Sequence, residues 1–250
     1  MAPSVKETPL TKIPAWQLAE TLFGKAHNIL AYGPPGVGKT YLAQEHAKKN
    51  AGFHYITTTL TEDTPMSELR GHFVLRGSEF VWLDGIICSG WRMSHKPEVR
   101  AVIIALQEID HLEGDGKSFL HVALDGDDSA AITLPTKETL RPAPGKVFYW
   151  ATMNGVPSDL PRPLRSRFPV QIQITEPNPK AIAALPSDVQ ALARNLTVAE
   201  EARRVDLRAF FEFARLRGLV GDEVAAQAIF GARAKELVDA LKTAAASSKE

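Results

Sequence analysis

The segment Gly33-Pro34-Pro35-Gly36-Val37-Gly38-Lys39-Thr40 sets three glycines, a lysine and a hydroxyl at the spacing G-x-x-x-x-G-K-[S/T], the pattern of a phosphate cradle. Glycine lets the backbone turn tightly enough for successive N–H groups to converge on phosphate oxygens, and a helix opening at Lys39 adds the positive end of its dipole. In such a loop Lys39 reaches the β- and γ-phosphates and the Thr40 hydroxyl ligates Mg²⁺, with Tyr41 completing the candidate binding set. The expected ligand is a nucleoside triphosphate, with ATP preferred to GTP only as the commoner choice.

Hydrolysis of a bound triphosphate needs acidic residues at the end of a neighbouring strand, one linked to the metal and one orienting water. The apolar run Val102-Ile103-Ile104-Ala105-Leu106 leads into Gln107-Glu108-Ile109-Asp110. Glu108 falls where the water-activating base belongs. Gln107 stands where a metal-linked aspartate is expected, and an amide oxygen accepts a hydrogen bond but carries no charge. The candidate metal set is therefore Thr40, Gln107 and Glu108. Asp110 could supply the missing charge only if the chain curls back; otherwise Glu108 and Asp110 are a solvated pair at a helix start.

These groups have to be held by strands and helices. His27 to Tyr32 reads as a strand entering the loop, and Leu42, Ala43, His46 and Ala47 have helical spacing after it. Phe53 to Leu60, Val102 to Leu106 and Val147 to Thr152 are rich in β-branched, aromatic and apolar residues, as strands buried on both faces of a parallel sheet are. Pro169 to Ile174 alternates and suits an edge strand. Strands separated by helical stretches predict an α/β domain over 28–176. Residues 1–27 form a helical lead-in, with Trp16, Leu18, Ala19, Leu22 and Phe23 on one face. Past Glu176-Pro177-Asn178-Pro179 the pattern turns Ala- and Leu-rich, predicting a small helical lid over 177–250 whose last residues, 243–250, fray.

Lysine and arginine total 29, as do aspartate and glutamate, so overall charge draws the chain to neither nucleic acid nor anionic membranes. No apolar run reaches the length of a membrane span, and Met1 to Glu7 lacks a signal-peptide core, so a cytoplasmic protein is expected. The single cysteine, Cys88, reads as a small buried apolar side chain. His111 and His121 lie near the candidate site in sequence without metal-ligand spacing.

Over roughly residues 20 to 217 the sequence resembles the AAA+ superfamily, within it the MoxR-like and dynein-related group. Besides the phosphate loop, the resemblance rests on two segments. Ala151-Thr152-Met153-Asn154 is similar to the sensor-1 strand, and Leu164-Arg165-Ser166-Arg167-Phe168-Pro169 to the arginine-finger segment. It implies a three-layer αβα nucleotide-binding domain with a parallel sheet and a helical lid. Asn154 would hold the lytic water or γ-phosphate, and Arg165 or Arg167 would reach a neighbouring subunit's nucleotide. Val205 to Phe210 resembles the sensor-2 helix, with Arg208 as its arginine and Arg203 and Arg204 as competitors. Leu207, Phe210, Phe211, Ala214 and Leu216 are expected in the core. The hairpin within Gly71 to Trp82, and the loop and hairpin over Leu124-Asp125-Gly126 and Ile132 to Pro135, would face the pore of a ring.

The resemblance implies an ATP hydrolase working as a ring, a hexamer, that remodels a partner protein serving as substrate or delivered by an adaptor. Two alternatives stand beside it: a nucleic-acid motor or restriction-type NTPase subunit, and a nucleotide-gated assembly switch that hydrolyses weakly because of Gln107. The pore-side segments carry only Arg76 and Lys137 as basic residues, which gives the nucleic-acid reading little support.

Overall fold

A strand made of Val102-Ile103-Ile104-Ala105-Leu106 has no polar side chain to offer water, so both its faces must be covered. The computed structural model meets that demand with a parallel sheet between two helical layers. It describes residues 13–126, 129–200 and 203–247. Residues 1–12 of the lead-in lie outside the described residues, as do the side chains of the 243–250 tail.

The elements run α1 (Ala15–Leu22), β1 (Asn28–Tyr32), α2 (Lys39–Lys49), β2 (Phe53–Thr59), α3 (Met66–Arg70), β3 (Gly71–Arg76), β4 (Glu79–Asp84), α4 (Ile86–Ser94) and β5 (Ala101–Gln107). There follow α5 (Gly114–Ala123), β6 (Ile132–Thr133), β7 (Thr139–Leu140), β8 (Val147–Met153), α6 (Arg162–Arg165) and β9 (Val170–Gln173). The chain ends with α7 (Pro179–Ala183), α8 (Ser187–Thr197), α9 (Leu207–Val220), α10 (Asp222–Phe230) and α11 (Ala234–Ser247).

The main sheet is parallel throughout, in the order β2-β5-β8-β1-β9. Because side chains alternate along a strand, β5 feeds two cores. Val102, Ile104 and Leu106 pack with Ile87, Trp91 and Leu120 on one side. Ile103 and Ala105 pack with Trp16, Phe23, Leu42 and Ala43 on the other. Trp150 of β8 is buried in that second core, and its indole N–H donates to the Lys39 carbonyl at 3.1 Å, fixing the start of α2 to the central strand.

One expectation needs correcting here. Phe53 to Leu60 is not an inner strand buried on both faces; β2 is an edge strand bonded to β5 alone, and its side chains are half-buried or exposed. Its aromatic and threonine content reports half-buried pleated surface as readily as a sheet interior. At the opposite edge β9 fits the alternation seen in Pro169 to Ile174.

Two small hairpins stand apart from the sheet. β3 and β4 pair from Gly71–Asp84 to Arg76–Glu79 around a two-residue turn, with Leu75 and Phe80 largely exposed near its tip. β6 and β7 form the second. Arg92 of α4 joins them: its guanidinium donates to both carboxylate oxygens of Glu138, at 2.7 and 2.6 Å, and to Asp84 at the base of β4.

From Pro179 onward the regular elements among the described residues are all helices. Asn178 caps α7, its side-chain oxygen accepting from the backbone N–H of Lys180 and Ala181, while Pro179 needs no donor partner at the first helical position. Phe210, Phe213, Ala225, Ala226 and Leu241 form a separate apolar core. Arg217 ties α9 to Asp188 of α8 at 2.6 Å and to Asp222 of α10 at 3.0 Å. The tail expected to fray continues α11 to Ser247, in keeping with the high helix propensity of Ala244, Ala245 and Ala246.

Trp150→Ala is expected to lower stability by about 3–5 kcal/mol in urea unfolding, because it empties a buried volume and removes the indole bond to the Lys39 carbonyl. Trp150→Phe, which keeps most of the packing, is expected to cost about 1–2 kcal/mol.

Candidate functional site

The carboxyl ends of β1, β5 and β8 deliver their following residues to one edge of the sheet, where α9 closes over them. There Pro35, Gly36, Gly38, Lys39, Thr40, Tyr41, Gln107, Glu108, Asn154 and Arg208 line one cavity of about 300 Å³. A crevice beyond the strand ends is where ligands bind in open parallel sheets.

The loop could not be built without its glycines. Gly33 has φ 139° and Gly36 has φ 74°, both in the left-handed half of the map. A Cβ on Gly33 would meet the Ile174 carbonyl oxygen at 2.0 Å, and one on Gly36 would meet Asp206 Oδ1 at 2.0 Å. The loop is thus wedged between the end of β9 and Asp206, the residue before α9. Backbone bonds close the wedge: Asn178 N–H donates to the Val37 carbonyl at 2.8 Å, and Leu207 N–H donates to the Gly36 carbonyl at 3.1 Å. The Val37 side chain points into the core, so its part in ligand binding is limited to its backbone.

Lys39 is 7% exposed, and its ammonium donates to the carbonyls of Gly33 and Pro34 at 2.7 and 2.8 Å and to Asn154 Oδ1 at 3.1 Å. Burial pulls its pKa down to about 8, against the opposing pull of Asp110, Glu108 and Asp206; Arg208 lowers it further. A desolvated cation held only by neutral dipoles is poised for an anion, so the loop fits a phosphate group. The Thr40 hydroxyl donates to Gln107 Oε1 at 3.1 Å, and Gln107 Nε2 donates to the Thr57 hydroxyl at 2.8 Å. Gln107 therefore turns its uncharged oxygen toward the residue expected to hold Mg²⁺. Glu108 adopts a left-handed conformation, φ 56° and ψ 47°, as the strand ends.

The two arginines of the finger segment differ. Arg167 is bound within its own subunit, to the carbonyls of His121 and Pro163 and to Asp125 at 3.0 Å. The side chain of Arg165, at the end of α6, makes no hydrogen bond or ion pair among the described residues. Neither lines the cavity, and neither do Arg203 and Arg204. Gln44, Ala181, Asp206, Leu207 and Phe211 line it without having been expected there. Phe211 was expected in the core but is 36% exposed on the cavity side. Its helical phase permits both placements, because one turn of α9 carries both Phe210, which is buried, and Phe211, which is not. Cys88 is fully buried, and its thiol is pushed up to about 12, so it is inert as a nucleophile.

The lowered Lys39 pKa gives a pH signature. A lysine whose folded pKa lies below its unfolded value keeps its charge at a cost, fully felt below about pH 8 and relieved as pH rises from there toward its ordinary value of 10.5. Phosphate affinity runs the opposite way, since it needs the ammonium. ATP affinity of the wild type is expected to be flat below about pH 7.5 and to fall by up to about tenfold per unit above pH 8. Titration of a fluorescent ATP analogue between pH 6.5 and 9.5 measures this, and a profile that Lys39→Ala shares would refute the assignment.

A family model described as an AAA domain of the dynein-related subfamily matches residues 28–168. The chain is also similar to a solved structure of a proposed ATPase from Cytophaga hutchinsonii, at 20% identity and a TM-score of 0.49, covering 71% of this chain and 50% of that one. It thus spans half the length of that relative. No curated protein matches the chain. The family match extends over more than half of the 250 residues, from the strand before the phosphate loop to the finger segment, and the chain belongs to the dynein-related subfamily of AAA domains.

Proposed function

We propose that the chain binds ATP with Mg²⁺ and hydrolyses it as a subunit of a ring, a hexamer, and that turnover drives the remodelling of a partner protein. The observation that carries this reading is the meeting of Lys39, Thr40, Glu108, Asn154 and Arg208 around one cavity at the carboxyl edge of the sheet. The chain divides for this purpose into a nucleotide-binding core over 28–176 and a lid over 177–250, behind the lead-in at 1–27.

The roles follow from position. The N–H groups of the loop and the Lys39 ammonium hold phosphate oxygens, and Thr40 with Gln107 faces the metal. Mg²⁺, when bound, offsets charge on the phosphate oxygens. Glu108 accepts the proton of the attacking water, Asn154 orients that water, and Arg208 brings charge from the lid. Arg165 reaches a neighbouring subunit without breaking any bond in its own, whereas Arg167 must first release Asp125 and two carbonyls. The exposed apolar side chains of the β3–β4 hairpin favour a protein partner over nucleic acid: Leu75 and Phe80 flank a tip whose Arg76 pairs in register with Glu79. No described helix is long and apolar enough to cross a membrane; the proposed place of work is the cytoplasm.

ATP turnover per subunit is expected to rise with protein concentration and to fall by about 10²-fold or more in both Lys39→Ala and Glu108→Gln, with Glu108→Gln retaining ATP. Phosphate release across a dilution series, paired with nucleotide retention on a desalting column, reads both. Tight ATP binding without turnover at any concentration would move the reading to the assembly switch. Whichever of Arg165→Ala and Arg167→Ala abolishes turnover while leaving ATP affinity within about twofold is the trans-acting arginine.

A further inference from the structure

Gln107 does at the cation position what an aspartate cannot: it offers an acceptor and a donor together, and both are used. It ends β5 at the cavity, with a longer side chain than aspartate's and a terminal amide that turns freely when nothing holds it. Two hydroxyls hold it here. Thr40 donates to Oε1 at 3.1 Å, and Nε2 donates to the Thr57 hydroxyl at 2.8 Å. The first bond comes from the phosphate loop and the second from β2, at the edge of the sheet.

The strand register shows how the second bond is reached. β2 and β5 run parallel with Thr57 opposite Ala105 and Thr59 opposite Gln107, so these side chains share one face of the sheet. It is the face that carries α2, since Ala105 packs with Leu42 and Ala43. Gln107 therefore bonds its diagonal neighbour rather than the residue beside it, passing across the single methyl group of Ala105.

The direction of the two bonds matters for a cation. Thr40 has one hydroxyl proton, and to turn a lone pair toward a metal it must give that proton to another acceptor. Gln107 Oε1 is that acceptor. With the amide turned over, Nε2 would donate to Thr40 and set the positive end of its dipole beside the cation position. The bond to Thr57 keeps Nε2 away from that side. Thr57 does not line the cavity, so whatever it does there passes through Gln107.

We propose that Thr57 is the positioning residue that lets a neutral Gln107 stand beside the metal ligand Thr40, by taking the amide N–H and so keeping Oε1 on the Thr40 hydroxyl. The inference rests on the ATPase reading above, whose Mg²⁺ site it concerns. An aspartate at position 107 would have no N–H to give, and the hydroxyl of Thr57 would then have no part in the site.

The test is the gain in affinity for a fluorescent ATP analogue on going from EDTA to excess Mg²⁺, measured at equilibrium for wild type, Thr57→Val, Thr57→Ser, Gln107→Asp and the double variant Gln107→Asp/Thr57→Val. Thr57 is exposed, and valine keeps its branched shape and strand preference, so the fold is expected to survive. Thr57→Val is expected to lose about three- to tenfold of the Mg²⁺-dependent gain and to leave the EDTA affinity within about twofold. Thr57→Ser, which keeps the hydroxyl, is expected to stay within about twofold of wild type. In the Gln107→Asp background Thr57→Val is expected to cost less than about twofold, whereas a merely structural role would cost the same in both backgrounds. An unchanged gain in Thr57→Val, an equal loss in both backgrounds, a serine variant that behaves as the valine one, or an equal fall in EDTA affinity would each overturn the inference and leave the ATPase reading standing. A wild type that binds nucleotide with no gain from Mg²⁺ overturns the inference while nucleotide binding stands, and one that binds no nucleotide overturns both.

Discussion

The energetic centre of this molecule is a charge taken out of water before it has a partner. Lys39 is buried between loop carbonyls and the Asn154 amide, and the solvation it has lost is only partly returned by acids at longer range. Much else in the architecture serves to hold that ammonium in place. The glycine loop offers it carbonyls, Trp150 fixes the backbone from which it projects, and the parallel sheet sets β1 beside β8 so that Asn154 can reach it. An ammonium kept in this state binds anions strongly because the desolvation cost falls on the folded protein and not on the binding step.

The sheet order explains why residues far apart in sequence share one site. β8 lies between β5 and β1, so the segment after β8 stands between the acidic turn after β5 and the phosphate loop after β1. Running all strands parallel puts the three segments at the same edge. The helical region then bonds to the loop by two backbone hydrogen bonds, from Asn178 and Leu207, which places Arg208 at the cavity mouth. The cavity is thus walled by two bodies with separate cores, joined at the phosphate loop.

What could be read from the sequence was what is local. The phosphate loop, the fully apolar strand before Gln107 and the Asn178-Pro179 helix start each carry their geometry in a few consecutive residues. What escaped was set by tertiary contact. The position of Phe53 to Thr59 at the sheet edge depends on which strands lie beside it, and its composition does not encode that. Phe211 and Phe210 look alike in a helical pattern until the cavity distinguishes them. Asp206 lies in the segment similar to the sensor-2 helix but has no role in that pattern, and its place against Gly36 arises only when the helical region folds back. The 3₁₀ turn over Ile109–His111 was open in the sequence because the left-handed glutamate at its start is not a propensity, and the burial of Ile109 and Leu112 is a tertiary fact.

The carboxylate of Asp206 sits against the loop that must accept a polyanion. Two negative groups cannot share that space without repulsion, so Asp206 opposes phosphate in the loop, while Arg208 two residues on draws the same end of α9 toward it. Thermodynamic linkage makes the balance mutual: by whatever factor moving the helical region changes phosphate binding, bound phosphate changes the hold of the helical region by the same factor. A contact that looks like simple packing is then a two-way scale, on which force applied to the lid and occupancy of the loop are weighed against each other.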